Sequence, residues 1–290
     1  MSEKRLYSPK YTKEVLKKYG FTFSKSLGQN FLVDGNIVRK ICEEGNITKE
    51  DNVLEIGPGV GTLTEELSLR AKKVVAIELD DKLLPILSNT LKDYSNVEII
   101  HGDVLKVNLK KIIEEKFNAG DIKVVANLPY YITTPIIGRL IEEELGLDSI
   151  IVMVQKEVAD RIIATPGNKD FSSLSVFVQY YTDPEIILKV PKSVFMPRPK
   201  VDSAVLKLNL KKEKINLENK ELFFKIVKLA FNQRRKTLVN SLNSKELGVD
   251  KKEIKKVLEK SNIDPKKRAE DLSVEDFAKI SSNLPSLDIY

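Results

Sequence analysis

The chain predicts an α/β fold: a mostly parallel, seven-stranded sheet with helices on both faces, followed by a small all-α domain. Three observations carry that expectation. Between residues 52 and 210, short apolar runs alternate with amphipathic stretches, and strands buried on both faces read as such unbroken apolar runs. A glycine-rich turn, Gly57-Pro58-Gly59-Val60-Gly61, joins the first of these runs to a helix. Beyond residue 211 the apolar spacing is wholly helical.

The elements follow in order. A short helix spans roughly Lys10 to Tyr19 and carries Lys10, Lys13, Lys17 and Lys18. Val53–Ile56 is the first strand of the alternation, with a helix from Thr62 to Arg70. Lys73–Ile77 precedes a helix from Asp81 to Leu91, and Val97–Ile100 precedes one near Leu109–Lys116. Val124–Ala126 and Ile150–Val154 are the fourth and fifth strands. Leu174, Phe177, Val178 and Tyr181 keep the i, i+3, i+4, i+7 spacing of a helix despite their β-branched member. Glu185–Val190 and Ser203–Leu210 are two further strands, the last alternating loosely as a hairpin or edge strand does. The polar, Lys-rich stretch from Lys211 to Asn219 marks a boundary. Two domains are expected: residues 1–211, of which 1–50 supply N-terminal helices and a covering loop, and residues 215–290. The second is a helical domain built on Leu222, Phe223, Ile226 and Leu229, then Leu238 and Leu242, then Ile254, Val257 and Leu258, then Leu272, Phe277 and Ile280.

Composition narrows the chemistry. The 290 residues are 42% hydrophobic and 31% charged, as in a globular protein. Met1-Ser2-Glu3-Lys4-Arg5 leads into no apolar run, so no secretory leader is expected. No apolar stretch approaches the roughly 18 residues that span a bilayer. Cys42 is the one cysteine, which forbids an internal disulfide and fits a cytoplasmic location. One Cys and one His, His101, cannot build a zinc site of the Cys/His type or the His/Cys/Cys set of a zinc deaminase, so no metal is expected. His101, beside Gly102 at a strand end, reads as structural.

The net charge of +6 is unevenly spread. Residues 211–290 hold 19 Lys/Arg against 13 Asp/Glu, and the first 210 residues hold 29 of each. The excess points to contact between the tail and a polyanion, with a solvated helical surface as the alternative. Arg234-Arg235-Lys236 and Lys266-Lys267-Arg268 are the candidate phosphate contacts.

A glycine-rich turn alone serves NAD, FAD or S-adenosylmethionine sites. The Gly-x-Gly-x-Gly spacing and the missing amide of Pro58 disfavour a pyrophosphate. The polar residues at successive strand ends say more. Gly57, Glu78, Asp103 and Asn127 lie 21, 25 and 24 residues apart, about one βα unit each, so they should share one sheet edge. There Glu78 can accept from ribose hydroxyls, Asp103 from an adenine amine, and the turn holding Gly57, Gly59 and Gly61 can seat the amino-acid end of a cofactor. Asp80 and Asp81 read instead as helix N-caps. Asn127-Leu128-Pro129-Tyr130 follows the strand at Val124–Ala126. It is either a strand-ending turn or a grip on a flat base: the amide and a main-chain carbonyl accept the hydrogens of an amine, and the aromatic stacks on the ring.

At this point the chain resembles the ribosomal RNA adenine dimethyltransferases. Gln29-Asn30-Phe31-Leu32, Glu55–Gly61, Glu78, Gly102-Asp103 and Asn127–Tyr130 match the motif set of that family. Val154–Arg161, Phe195–Ala204 and Arg268–Ser273 extend the likeness into the tail. The resemblance implies a Rossmann-like class I methyltransferase sheet and S-adenosylmethionine as cofactor. It also implies a substrate in small-subunit ribosomal RNA, where the kasugamycin-sensitivity branch dimethylates two adjacent adenines of the terminal hairpin loop. Carried over by motif, Asn30, Leu32, Gly57, Gly59, Gly61, Glu78, Asp103 and Asn127 hold the cofactor. Asn127, Leu128, Pro129 and Tyr130 hold the adenine, and Phe195 covers its other face. A monomer without membrane contact is expected. Two readings compete with the small-subunit enzyme: a large-subunit adenine methyltransferase, and an assembly factor in which binding matters more than turnover. An NAD oxidoreductase would lack a catalytic acid or base beyond Tyr and Lys.

Overall fold

The structure, a computed structural model, describes residues 5–24, 27–117 and 120–284. Residues 1–4, within the stretch expected to carry no secretory leader, and 285–290, the end of the expected helical domain, lie outside the described residues. The elements are α1 (Pro9–Lys18), β1 (Phe31–Leu32), α2 (Gly35–Glu44), β2 (Asn52–Ile56), α3 (Thr62–Arg70), β3 (Lys73–Glu78), α4 (Leu84–Thr90), β4 (Val97–His101), α5 (Leu109–Lys116), β5 (Ile122–Asn127), α6 (Thr133–Glu142), β6 (Ser149–Gln155), α7 (Lys156–Ile163), α8 (Ser173–Tyr181), β7 (Thr182–Val190), β8 (Phe195–Met196), β9 (Ser203–Leu210), α9 (Lys220–Asn232), α10 (Leu238–Leu242), α11 (Lys251–Lys260) and α12 (Val274–Asn283).

One sheet has seven strands in the order β4-β3-β2-β5-β6-β9-β7. The β2–β3, β3–β4, β2–β5 and β5–β6 pairings are parallel, and β6–β9 is antiparallel. β2 lies mid-sheet. The chain steps outward through β3 and β4, then returns to the other side of β2 with β5. Strand order reverses there, and open α/β sheets bind ligands in the crevice such a reversal leaves. All five residues of β2 are buried, as a strand covered on both faces requires. β1 and β8 form a separate two-stranded ribbon, Leu32 opposite Phe195.

The helix starts follow their side chains. Asp34 accepts from the Asn36 and Ile37 amides at the head of α2, and Asn108 from the Lys111 amide at α5. Reciprocal capping boxes, Asp250 with Glu253 and Ser273 with Asp276, open α11 and α12. At the other edge of the sheet, Lys123 Nζ meets Asp51 at 3.0 Å and donates to the Asn46 carbonyl at 2.8 Å. Both side chains are buried, and they fix where β2 and β5 begin.

Internal contacts divide the chain into Met1–Ala159 with Glu185–Leu210, and Asp160–Pro184 with Lys211–Tyr290. Composition alone draws the boundary at 211–215, whereas the contacts group α8 with the tail. The reason is aromatic packing. Tyr180 lies 5.4 Å from Phe223 and Phe177 lies 5.6 Å from Phe224, centroid to centroid, while Phe171 meets Phe231 at 6.1 Å. Apolar clusters of the described residues pack the first unit. One holds Val38, Val53, Leu67 and Val74, and another Leu6, Phe31, Val60 and Ile86.

Candidate active site

The strand register brings the polar ends of four strands to one rim. Ile56, the last residue of β2, sits opposite Ile77 and Ala126. The next amide, Gly57, donates to the Ile77 carbonyl at 3.0 Å. Glu78 pairs with His101, two residues before Asp103, and Asn127 pairs with Met153. Gly57, Glu78, Asp103 and Asn127 therefore stand in a row across the reversal point. They line one cavity together with Asn30, Leu32, Gly59, Leu128, Pro129 and Tyr130.

The glycine turn needs its glycines for different reasons. Gly59 has φ +60°, and a Cβ there would lie 3.0 Å from the Phe31 ring. The backbone can approach the cavity only because no side chain intervenes. Gly61, at φ +90°, opens α3, and a Cβ on it would meet the Leu91 side chain at 3.3 Å. It does not line the cavity. Its place is close packing behind the turn, which differs from the cofactor contact expected of it.

Glu78 is buried but well supplied with donors. Its carboxylate accepts from the Gly59 amide at 3.1 Å and the Asp80 amide at 2.8 Å. Burial pushes its carboxyl above the usual range, and the two amides pull it back. Asp80 caps the turn after β3 by accepting from the Lys82 amide, as expected of it, and also accepts from Gln29 Nε2 at 2.6 Å. Gln29 Oε1 in turn accepts from the Ser24 amide at 2.9 Å. The amino-terminal loop is thereby stapled to the end of β3.

Asn127 is oriented by the same loop. Its Nδ2 donates to the Asn30 carbonyl at 3.0 Å. A carbonyl oxygen only accepts, so the amide nitrogen must face Asn30 and Oδ1 is left as the acceptor for another group. The Leu128 amide donates to the Met153 carbonyl at 3.2 Å. The Pro129 carbonyl accepts from the Ile132 amide and from Thr133 Oγ1, each at 3.2 Å, which closes the turn onto α6. Tyr130 is partly exposed, its hydroxyl sharing a 2.7 Å hydrogen bond with Ser203 Oγ. Burial and nearby Asp202 raise the phenol above its ordinary range, partly offset by Ser203, so the ring is neutral at pH 7.

Phe195 is placed otherwise than expected. It is 4% exposed, belongs to the cluster around Val38 and Val53, and does not line the cavity. It pairs with Leu32 in the β1–β8 ribbon and packs with it in that cluster, so it lies behind the cavity wall that Leu32 lines. His101 is exposed, with Nε2 3.3 Å from the Leu79 carbonyl, and is not part of the lining.

In the second unit the two basic clusters adjoin. The Leu238 amide donates to the Lys267 carbonyl at 2.8 Å. Arg235, Lys236, Lys266, Lys267 and Arg268 are exposed. Arg234 is employed internally: its guanidinium donates to the Lys169 and Phe171 carbonyls and meets Glu270 at 3.0 Å.

Two further residues of the cavity lie outside the strand-end row. Phe31 stands over the glycine turn, and its signal was only its place in the Gln29–Leu32 motif. Glu55 lines the cavity from inside β2, its Oε2 without a hydrogen-bond partner among the described residues. Burial pushes its carboxyl up to about 8, with Thr64 lowering it and Glu78 raising it further. A charge inside an apolar run was the available signal.

A model of the ribosomal RNA adenine dimethylase family matches residues 20–285. A ribosomal RNA small subunit methyltransferase A of Clostridioides difficile strain 630 is 52% identical over 280 residues, covering 96% of each chain. The protein of the same name from Bacillus pumilus is 53% identical over 285 residues, covering 97% of this chain and 98% of its own. A crystal structure of a dimethyladenosine transferase from Plasmodium falciparum superposes with a TM-score of 0.75 at 30% identity, covering 86% of this chain and 95% of that one. The 23S rRNA methyltransferase ErmE follows with a TM-score of 0.68 at 26% identity, covering 88% and 100%. With this likeness running through both the sheet and the helical tail, the chain belongs to the ribosomal RNA adenine dimethylase family.

Proposed function

We propose that the chain transfers methyl groups from S-adenosylmethionine to the exocyclic amines of adenines in small-subunit ribosomal RNA, forming N6,N6-dimethyladenosine. The row Gly57, Glu78, Asp103 and Asn127 on the rim of one cavity, with Tyr130 beside it, carries this reading. The residues fit the cofactor by their chemistry. Glu78 offers carboxylate oxygen to a ribose diol and Asp103 to an adenine amine. The turn at Gly57 and Gly59 admits a ligand against bare backbone, and Asn30 and Leu32 close the side of the cavity. When bound, S-adenosylmethionine supplies a methyl group on a positively charged sulfur.

The remaining work falls to positioning. An adenine amine is a poor nucleophile because its lone pair is delocalised into the ring. Asn127 Oδ1 and the Leu128 carbonyl accept its two hydrogens and draw the nitrogen toward tetrahedral geometry, which frees the lone pair for in-line attack. Orientation of this kind supplies several kcal/mol, within the roughly 7–11 kcal/mol available to well-placed reactants. The Tyr130 ring stacks on the base and is held in place by Ser203. No strong base is required, since the amine proton becomes acidic only as the new bond forms. A target in a hairpin loop is extruded at lower cost than one in a duplex. Arg235, Lys236, Lys266, Lys267 and Arg268 supply phosphate contacts from the helical unit, while the Arg234 guanidinium is engaged by the Lys169 and Phe171 carbonyls and Glu270.

The names of the Clostridioides and Bacillus relatives support the small-subunit substrate. The likeness to ErmE keeps the large subunit as the arm to test against. The protein is incubated with labelled methyl donor and undermethylated small subunits or large-subunit RNA, and the products are digested and mapped by mass. Dimethyladenosine in small-subunit RNA is expected. Label confined to large-subunit RNA would overturn the substrate, and binding without transfer would overturn the activity.

A further inference from the structure

We infer that Arg139 is a positioning residue that sets cofactor affinity by bracing the loop that carries Asp103. The inference rests on the proposed role of Asp103 as acceptor for the cofactor's adenine amine.

The loop after β4 is wound tightly. Asp103 Oδ1 accepts from the Leu105 amide at 2.9 Å, and its carbonyl accepts from the Lys106 and Val107 amides at 2.8 and 2.9 Å. A Cβ on Gly102 would lie 2.5 Å from the Val107 side chain, so any other residue there would force Val107 to shift. The turn's own bonds use amides at 105, 106 and 107. They do not engage the carbonyls of Val104 and Val107. Arg139 does: Nη1 donates to the Val104 carbonyl and Nη2 to the Val107 carbonyl at 2.7 Å. Its Nε donates to Glu143 one turn along α6. The side chain is 18% exposed, so the fork is shielded from competing water.

A planar guanidinium with five donors in fixed directions suits this task, and an ammonium does not. One side chain spans the loop and fixes the curvature that aims Asp103 at the cavity, which Val104 and Asp103 both line. α6 begins at Thr133, directly after the turn that presents Tyr130. The helix that is anchored to the base-holding turn at one end thus holds the adenine-facing loop by its middle.

The effect should fall on binding, not on the chemical step. Arg139→Ala frees the loop and weakens the hydrogen bond that Asp103 makes. A net hydrogen bond contributes about 0.5–1.5 kcal/mol, so cofactor Kd and KM should rise about two- to tenfold, with kcat at saturating cofactor within about twofold. Arg139→Lys keeps the charge but loses the fork, and should recover at most part of the affinity.

The decisive test is a double-mutant cycle read by calorimetry with S-adenosylhomocysteine on the full chain. Arg139→Ala should cost about two- to tenfold in the parent and have no measurable effect in an Asp103→Ala background. An equal penalty in both backgrounds would overturn the inference and leave Arg139 as general scaffolding. An unchanged Kd in the parent background would overturn it as well. Should Asp103→Ala reduce affinity too far for the cycle, the kinetic split decides: a kcat loss equal to the loss in kcat/KM overturns it. If the parent protein binds no S-adenosylhomocysteine, the proposed function itself fails, an outcome distinct from the others.

Discussion

Glu55 gives the site a pH-dependent stability that one substitution should remove. Its carboxyl is 1% exposed inside β2, and burial lifts it from 4.5 to about 8. Between those values the folded chain holds a proton that the unfolded chain has released. Stability therefore falls as pH rises through that window, and the contribution present below pH 4.5 is lost as pH passes 8. At about 1.36 kcal/mol per unit, the upper bound for this one group is about 5 kcal/mol, and water drawn in around the ionised carboxylate reduces it. Glu55→Gln keeps the shape and leaves an amide that Thr64 can accept from, with no proton to lose. Urea unfolding at pH 5, 6.5 and 8 should show the two proteins close at pH 5. At pH 8 the variant should be more stable by about 1–4 kcal/mol. Parallel profiles would refute the reasoning, because they would mean that the buried carboxyl does not titrate in this range.

Other predictions follow from contacts already described. Gly59→Ala should destabilise the first unit by about 1–2 kcal/mol through its left-handed backbone. It should also weaken cofactor binding, since the added methyl meets Phe31; a thermal melt and calorimetry read the two effects. Arg234→Ala should lower stability by about 1–2 kcal/mol, whereas Arg235→Ala with Lys236→Ala should leave the melt unchanged. That pair should flatten the slope of log RNA affinity against log salt by about 1.5, and an unchanged slope would remove both residues from the RNA surface.

The sheet was legible because strands covered on both faces leave unbroken apolar runs, and each of the seven strands named from them is present. The row Gly57, Glu78, Asp103 and Asn127 was legible for a related reason: one βα unit takes nearly constant length, so equal spacing means a shared rim. Less legible was anything decided by side-chain direction. Phe195 and Tyr130 are both aromatic motif residues, but one packs with Leu32 in the core while a hydroxyl bond to Ser203 holds the other at the cavity. Gly61 looked like its neighbours in the turn and proved to be a packing glycine against Leu91. Arg234 looked like Arg235, and only the carbonyls of Lys169 and Phe171, more than sixty residues away in sequence, separate their roles. The grouping of α8 with the tail depends on aromatic contacts that periodicity does not report.

The central claim is that the Asn127 amide, turned by the Asn30 carbonyl, presents Oδ1 to the amine that becomes methylated. Single-turnover methylation by Asn127→Ala, measured beside calorimetric cofactor binding, tests it most directly. The rate should drop at least about a hundredfold, as for loss of one oriented acceptor at a reacting centre, while cofactor affinity, to which Asn127 is one of several contributors, falls far less, by no more than about tenfold. Methylation at the parent rate, or a rate loss matched by an equal loss of cofactor binding, would contradict it.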